Sequence, residues 1–173
     1  VDCVSATACG AVATDGRIVA WNGTTWADLV DTGSHVYRGI DCLTLTDCWA
    51  VADSGRIMHW NGTAWSQFVD MGSQTWRSVH FVSATNGWVV GVGGVIASWN
   101  GTAWTAATSP TANQLNGVYV VSTSDAWAVG NTGTVIRYQI TYPGSATFIS
   151  GSVDAGVSVT WNEVSWNMVT PLT

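Results

Sequence analysis

Four cysteines, three histidines, five arginines, ten aspartates and one glutamate, Glu163, are the residues through which this 173-residue chain could do chemistry. The cysteines are the most ordered. Cys3/Cys9 and Cys42/Cys48 each enclose five residues, and the two pairs stand 39 residues apart at the ends of matching hairpins. Side chains that face each other across a hairpin lie within disulfide reach. The spacing leaves three readings open: two disulfides, free thiols or a four-cysteine zinc site. Zinc pairs usually enclose about two to four residues, so disulfides are favoured, and these persist in oxidising compartments.

The remaining polar residues do not converge in sequence. His35, His59 and His80 are isolated from one another, and no G-x-S-x-G, H-E-x-x-H or phosphate-cradling glycine loop is present. Asp15 and Asp53 each precede a glycine-containing turn, where a carboxylate caps the turn or, in the sharper reading, contributes to a calcium site. The stretches "DTGS" (31–34) and "DMGS" (70–73) read as turns between units. The sequence assigns no metal site, no cofactor and no catalytic residue. There is no lysine and the net charge is −6, which excludes the basic surface that nucleic acid or an anionic membrane needs. No apolar run approaches the length of a membrane helix.

Arginines and cysteines alike follow a period that governs residues 1–139. "CVSATACGAVATDGRIVAWNG" (3–23), "CLTLTDCWAVADSGRIMHWNG" (42–62), "FVSATNGWVVGVGGVIASWNG" (81–101) and "VVSTSDAWAVGNTGTVIRYQ" (120–139) align at an offset of 39 without a gap. Arg17/Arg56 and Arg38/Arg77 are repeat pairs, and Arg137 stands alone. A fixed period of about 40 residues with short apolar segments and turn signals points to propeller blades. In the second copy, strands are expected at 38–46, 48–53, 56–60 and 63–69. Asn61-Gly62 reads as a two-residue hairpin turn. That register pairs Trp60 with Thr63 and Met58 with Trp65.

The fold class is therefore all-β: four-stranded β-propeller blades of 39 residues, about 3.5 to 4 of them, with a short C-terminal β segment. The blades fall at about 1–37, 38–76, 77–115 and 116–139, and 140–173 forms the β-strand segment. Nine of the 12 tryptophans form three periodic sets, Trp21/60/99, Trp26/65/104 and Trp49/88/127, as blade cores require. Trp76 and Tyr37 share a repeat position with Leu115. Trp161 and Trp166 lie outside the repeat.

The runs "SDAWAVGNTGTVIRY" (124–138) and "DCWAVADSGRIMHWNGTAW" (47–65) resemble extracellular propellers related to bacterial neuraminidase repeats and to photosystem II assembly factors. In that family a "GWAVG-x-x-G-x-I" strand pair precedes an Asp-box hairpin. Here Gly62 and Trp65 fit the box, and Asn61 replaces its Asp. The resemblance covers 1–139 and implies the fold; a sialidase-like hydrolase would further need an arginine cluster and a tyrosine nucleophile. If four blades close a ring, 140–142 supplies the missing outer strand. The abrupt start on a first strand reads as part of a longer or processed polypeptide. Residues 143–173 look like the opening of the β-sandwich modules that follow propellers in surface proteins. They pack on the propeller, are completed by other sequence, or add strands to a neighbour.

The function expected from these features is a non-enzymatic structural or interaction module of a secreted or cell-surface protein, such as a subunit of a surface layer or filament. Its partners are other protein subunits or copies of itself. A second reading is a glycan-binding propeller whose mouth uses Trp76, Tyr37 and Tyr119, with Trp161 and Trp166 as further contacts. The hairpin tips also create three N-glycosylation sequons at Asn22, Asn61 and Asn100, although turn chemistry alone demands Asn-Gly there.

Overall fold

The computed structural model describes residues 1–33 and 35–139 and the backbone of Trp161–Glu163. Every strand-length apolar segment of the repeat becomes a strand. The first sheet comprises β1 (Asp2–Ser5), β2 (Ala8–Val12), β3 (Arg17–Trp21) and β4 (Trp26–Asp31). The second comprises β5 (Tyr37–Thr44), β6 (Asp47–Ala52), β7 (Arg56–Trp60) and β8 (Trp65–Asp70). The third comprises β9 (Trp76–Ser83), β10 (Asn86–Gly91), β11 (Ile96–Trp99) and β12 (Trp104–Ala107). All three are antiparallel meanders. The fourth has β13 (Leu115–Ser122), β14 (Asp125–Gly130) and β15 (Val135–Gln139), with β16 (Trp161–Glu163) on its outer edge.

That outer edge departs from the sequence expectation. The strand beside β15 is Trp161–Glu163, and it runs parallel, whereas a continuation through 140–142 implies an antiparallel return. Residues 140–160 and 164–173 lie outside the described residues, and the proposed sandwich segment with them.

The tip at Asn61-Gly62 also differs. Trp60 pairs with Trp65, not Thr63, and Met58 pairs with Gln67, not Trp65. Trp21 pairs with Trp26, and Trp99 with Trp104, in the same way. The loop therefore has four residues. Its organiser is the Asn61 side chain, whose Oδ1 accepts from the N–H groups of Thr63 and Ala64, both at 3.0 Å. This side-chain closure replaces the second positive φ of a two-residue turn, so only Gly62 adopts one (φ 92°). A Cβ on Gly62 would stand 2.8 Å from the Thr46 side chain. The tip is thus pressed onto the first hairpin of its own blade, where Trp60 Nε1 also donates to the Leu45 carbonyl at 3.0 Å. The paired indoles are direct cross-strand neighbours with centroids 6.0 Å apart.

Successive blades pack through their first two strands, β1 and β2 against β5, β5 and β6 against β9, β9 and β10 against β13. Each junction has its own apolar cluster. Ile18, Tyr37, Ile40 and Met58 fill the first. Trp49, Trp76, Phe81, Trp99 and Trp104 dominate the second, with Trp49 5.3 Å from Phe81 and 5.0 Å from Trp99. Trp88, Leu115, Val120 and Ile136 fill the third. Among the described residues, four sheets make three junctions, and β13 makes no comparable contact with β1.

Candidate interaction surface

The first strand of each sheet carries a recurring polar position, at residues 2, 41, 80 and 119. Asp2 Oδ2 accepts from the Cys42 N–H at 2.8 Å, and Asp41 Oδ2 accepts from the Phe81 N–H at 2.8 Å. The Val120 N–H donates to His80 Nδ1 at 3.2 Å. Each blade thus latches the next across 40 residues of chain. Burial at the junction pushes the Asp41 carboxyl up to about 6, opposed by the Phe81 N–H and aided by the Asp2 charge. Burial also depresses the His80 imidazole, against the attraction of Asp2. Tyr119 occupies the fourth latch position; its ring lies 4.3 Å from His80 and is 60% exposed. Sequence reasoning missed these latches. Their signal was available as the periodic series Asp, Asp, His, Tyr on first strands.

Each arginine has a side-chain partner. Arg38 forms a two-pronged pair with Asp53 at 2.6 and 2.9 Å, and Arg137 does the same with Asp125 at 3.0 and 2.9 Å. Arg137 also lies 5.0 Å above the Trp127 ring. Arg17 holds Asp15 at 2.7 Å, and that contact keeps the Asp15 carboxyl below the usual carboxylate range. Arg56 bonds Gln67 and Arg77 bonds Gln114. The oxygens of Asp15 and Asp53 therefore serve arginines. Asp31 and Asp70 accept from the N–H groups of Gly33 and Gly72 at 2.9 and 2.8 Å, as turn caps do. His59 is stacked on Trp49 and paired with Asp47 at 2.9 Å.

Both cysteine pairs are disulfides, Cys3–Cys9 and Cys42–Cys48, each closing the first hairpin of a blade. Asn22, Asn61 and Asn100 are exposed at the tips. Two aromatic residues expected at a ligand mouth are not at a surface: Tyr37 and Trp76 are each 1% exposed. They begin β5 and β9, and the preceding blade covers them. Of that set Tyr119 is exposed, the side chain of Trp161 is not described, and Trp166 lies outside the described residues.

Exposed apolar residues gather at the two ends of the blade series. Val129 is 49% exposed, whereas its repeat equivalents Val51 and Val90 are buried. At the other end Val1 and Trp26 are 80% and 48% exposed, whereas their equivalents Ile40 and Trp104 are both 8% exposed.

No family model and no curated protein matches this chain. Solved structures do. The structure of YCF48 bound to D1 peptide is similar over 79% of this chain and 48% of its own, with a TM-score of 0.58 and 20% identity. YCF48 from Cyanidioschyzon merolae covers 73% of this chain, which spans 45% of it, with a TM-score of 0.61 and 16% identity. The computationally designed Ika4 protein covers 80% of this chain and 89% of its own, with a TM-score of 0.63 and 16% identity. The fold is a β-propeller. This chain spans about half the length of the YCF48 chains it matches. The arginines and most acids of the described residues are engaged within blades or across their junctions.

Proposed function

We propose that this chain is a non-catalytic interaction module of a secreted or cell-surface protein, and that it holds protein partners through the faces of its terminal blades. The carrying observation is the contrast at one repeat position: Val51 and Val90 are buried, and Val129 is 49% exposed. An apolar face of this kind marks a protein contact. Two disulfides support an oxidising setting, which suits a secreted or surface subunit. The similar YCF48 structure holds a peptide. A glycan-binding mouth loses support because Tyr37 and Trp76 are buried, and a sialidase-like centre loses it because each arginine already has a side-chain partner.

The test is binding of the oxidised chain to an array carrying itself, extended peptides and glycans, together with a sialoside turnover assay. Protein or peptide binding is expected, weakened about tenfold or more by V129D, since burying a valine contributes about 1.5 kcal/mol. Glycan binding alone, or sialoside turnover, would overturn the reading.

A further inference from the structure

We infer that the two end faces are halves of one junction, and that a second copy of this chain covers both, closing a ring of two chains. The inference rests on the interaction reading above and names its partner. At each internal junction one face comes from positions equivalent to Val1 and Trp26 and the other from positions equivalent to Val129. Ile40, Val79 and Trp104 represent the first face and Val51 and Val90 the second, and all are buried where a neighbouring blade is present. Among the described residues, the face of the first blade that lacks a neighbour has Val1 and Trp26, and the face of the fourth blade that lacks one has Val129 and Tyr119. One chain therefore carries both sides of the contact that its own blades already make three times.

The latch series gives the same polarity. Residues 2, 41 and 80 reach forward to the N–H groups of residues 42, 81 and 120. The series stops with Tyr119 at the forward end, and Cys3 is the receiving equivalent at the other. Such a head-to-tail contact is heterologous, and it forms a closed ring only if the rotation closes. Two copies are the number indicated, because one chain spans 48% and 45% of similar propeller chains.

The experiment places a photo-crosslinking residue at 129 in the full, oxidised chain and combines it with light scattering at micromolar concentration. The expected species has twice the 18.2 kDa chain mass, and its crosslink joins residue 129 of one copy to the Val1 or Trp26 region of the other. V129D is expected to yield monomers. L45D is the control, because Leu45 is 62% exposed at a hairpin tip away from the end faces, and it should leave the dimer intact. A wild-type monomer, an open filament, or a crosslink from 129 to residues 140–173 of its own chain would each overturn the ring. A monomer that still binds another protein through Val129 refutes the ring and leaves the interaction reading standing. A monomer in which V129D alters no binding refutes both.

Discussion

Asp41→Asn is expected to stabilise the protein at neutral pH and to leave it unchanged near pH 4. The carboxyl of Asp41 enters the junction between the second and third blades, where its Oδ2 accepts from the Phe81 N–H at 2.8 Å. Burial raises its pKa from 3.8 to about 6, so the cost of removing charge from water outweighs that hydrogen bond. Between those values the folded chain binds more protons than the unfolded one, and stability falls as pH rises from about 4 to about 6. About two pKa units correspond to about 3 kcal/mol as a ceiling. Partial exposure of the side chain screens this to about 1–2 kcal/mol. An asparagine Oδ1 can accept from the same N–H without charge, so the penalty disappears and the latch stays. His80 contributes the opposite slope, because its depressed pKa makes stability rise with pH below about 6.5; taking the difference between variant and wild type removes it. The assay is urea unfolding of both proteins at pH 4, 5, 6 and 7.5 with disulfides intact. The midpoints should coincide at pH 4 and separate as pH rises. Parallel profiles, or a variant less stable at pH 7.5, would show that the ionised latch is worth more than its desolvation costs.

Breaking the Cys42–Cys48 bridge by C42S/C48S is expected to cost about 2 kcal/mol, the loop-closure contribution of a short hairpin, read from unfolding midpoints with and without reductant. Intact mass of the secreted wild type should be lower than the reduced chain by two hydrogens per bridge, and higher by glycans wherever a glycosylating host modifies the exposed tips at Asn22, Asn61 and Asn100. Trp104→Ala is expected to cost about 3–5 kcal/mol, and Trp26→Ala at the same repeat position about 1 kcal/mol in dilute protein, because the indoles are 8% and 48% exposed; equal losses would contradict an open first blade.

The parts of the fold that depend on period were legible without coordinates, and the parts that depend on neighbours were not. Strand β7 (Arg56–Trp60) could be bounded to the residue because Gly55 and Asn61 punctuate it. The register of the next hairpin could not. Asn-Gly specifies a two-residue turn only if both residues take positive φ, and Asn61 instead uses its carboxamide to hold two backbone N–H groups. Choosing between these outcomes needs the Thr46 hairpin against which Gly62 is pressed, a contact 16 residues away. Tyr37 and Trp76 were misjudged for the same reason: their equivalence to Leu115 indicated packing, and their aromatic character was given a second use that burial removes.

The end faces show the limit most clearly, since Val12, Val51, Val90 and Val129 are one residue type at one repeat position. Local sequence gives them the same strand, the same side of the sheet and the same hydrophobic driving force. Their environments then diverge: Val51 and Val90 are buried under a following blade, Val12 is partly buried under one, and Val129 is half exposed. A repeat fold adds stability one neighbour interface at a time, so its terminal units must either change composition or find a partner. Here Val129 keeps the composition of an internal blade, and Trp127, at the position of Trp49 and Trp88, does too. A face that retains interior chemistry at the end of the described series is the face that the proposed ring of two chains would bury.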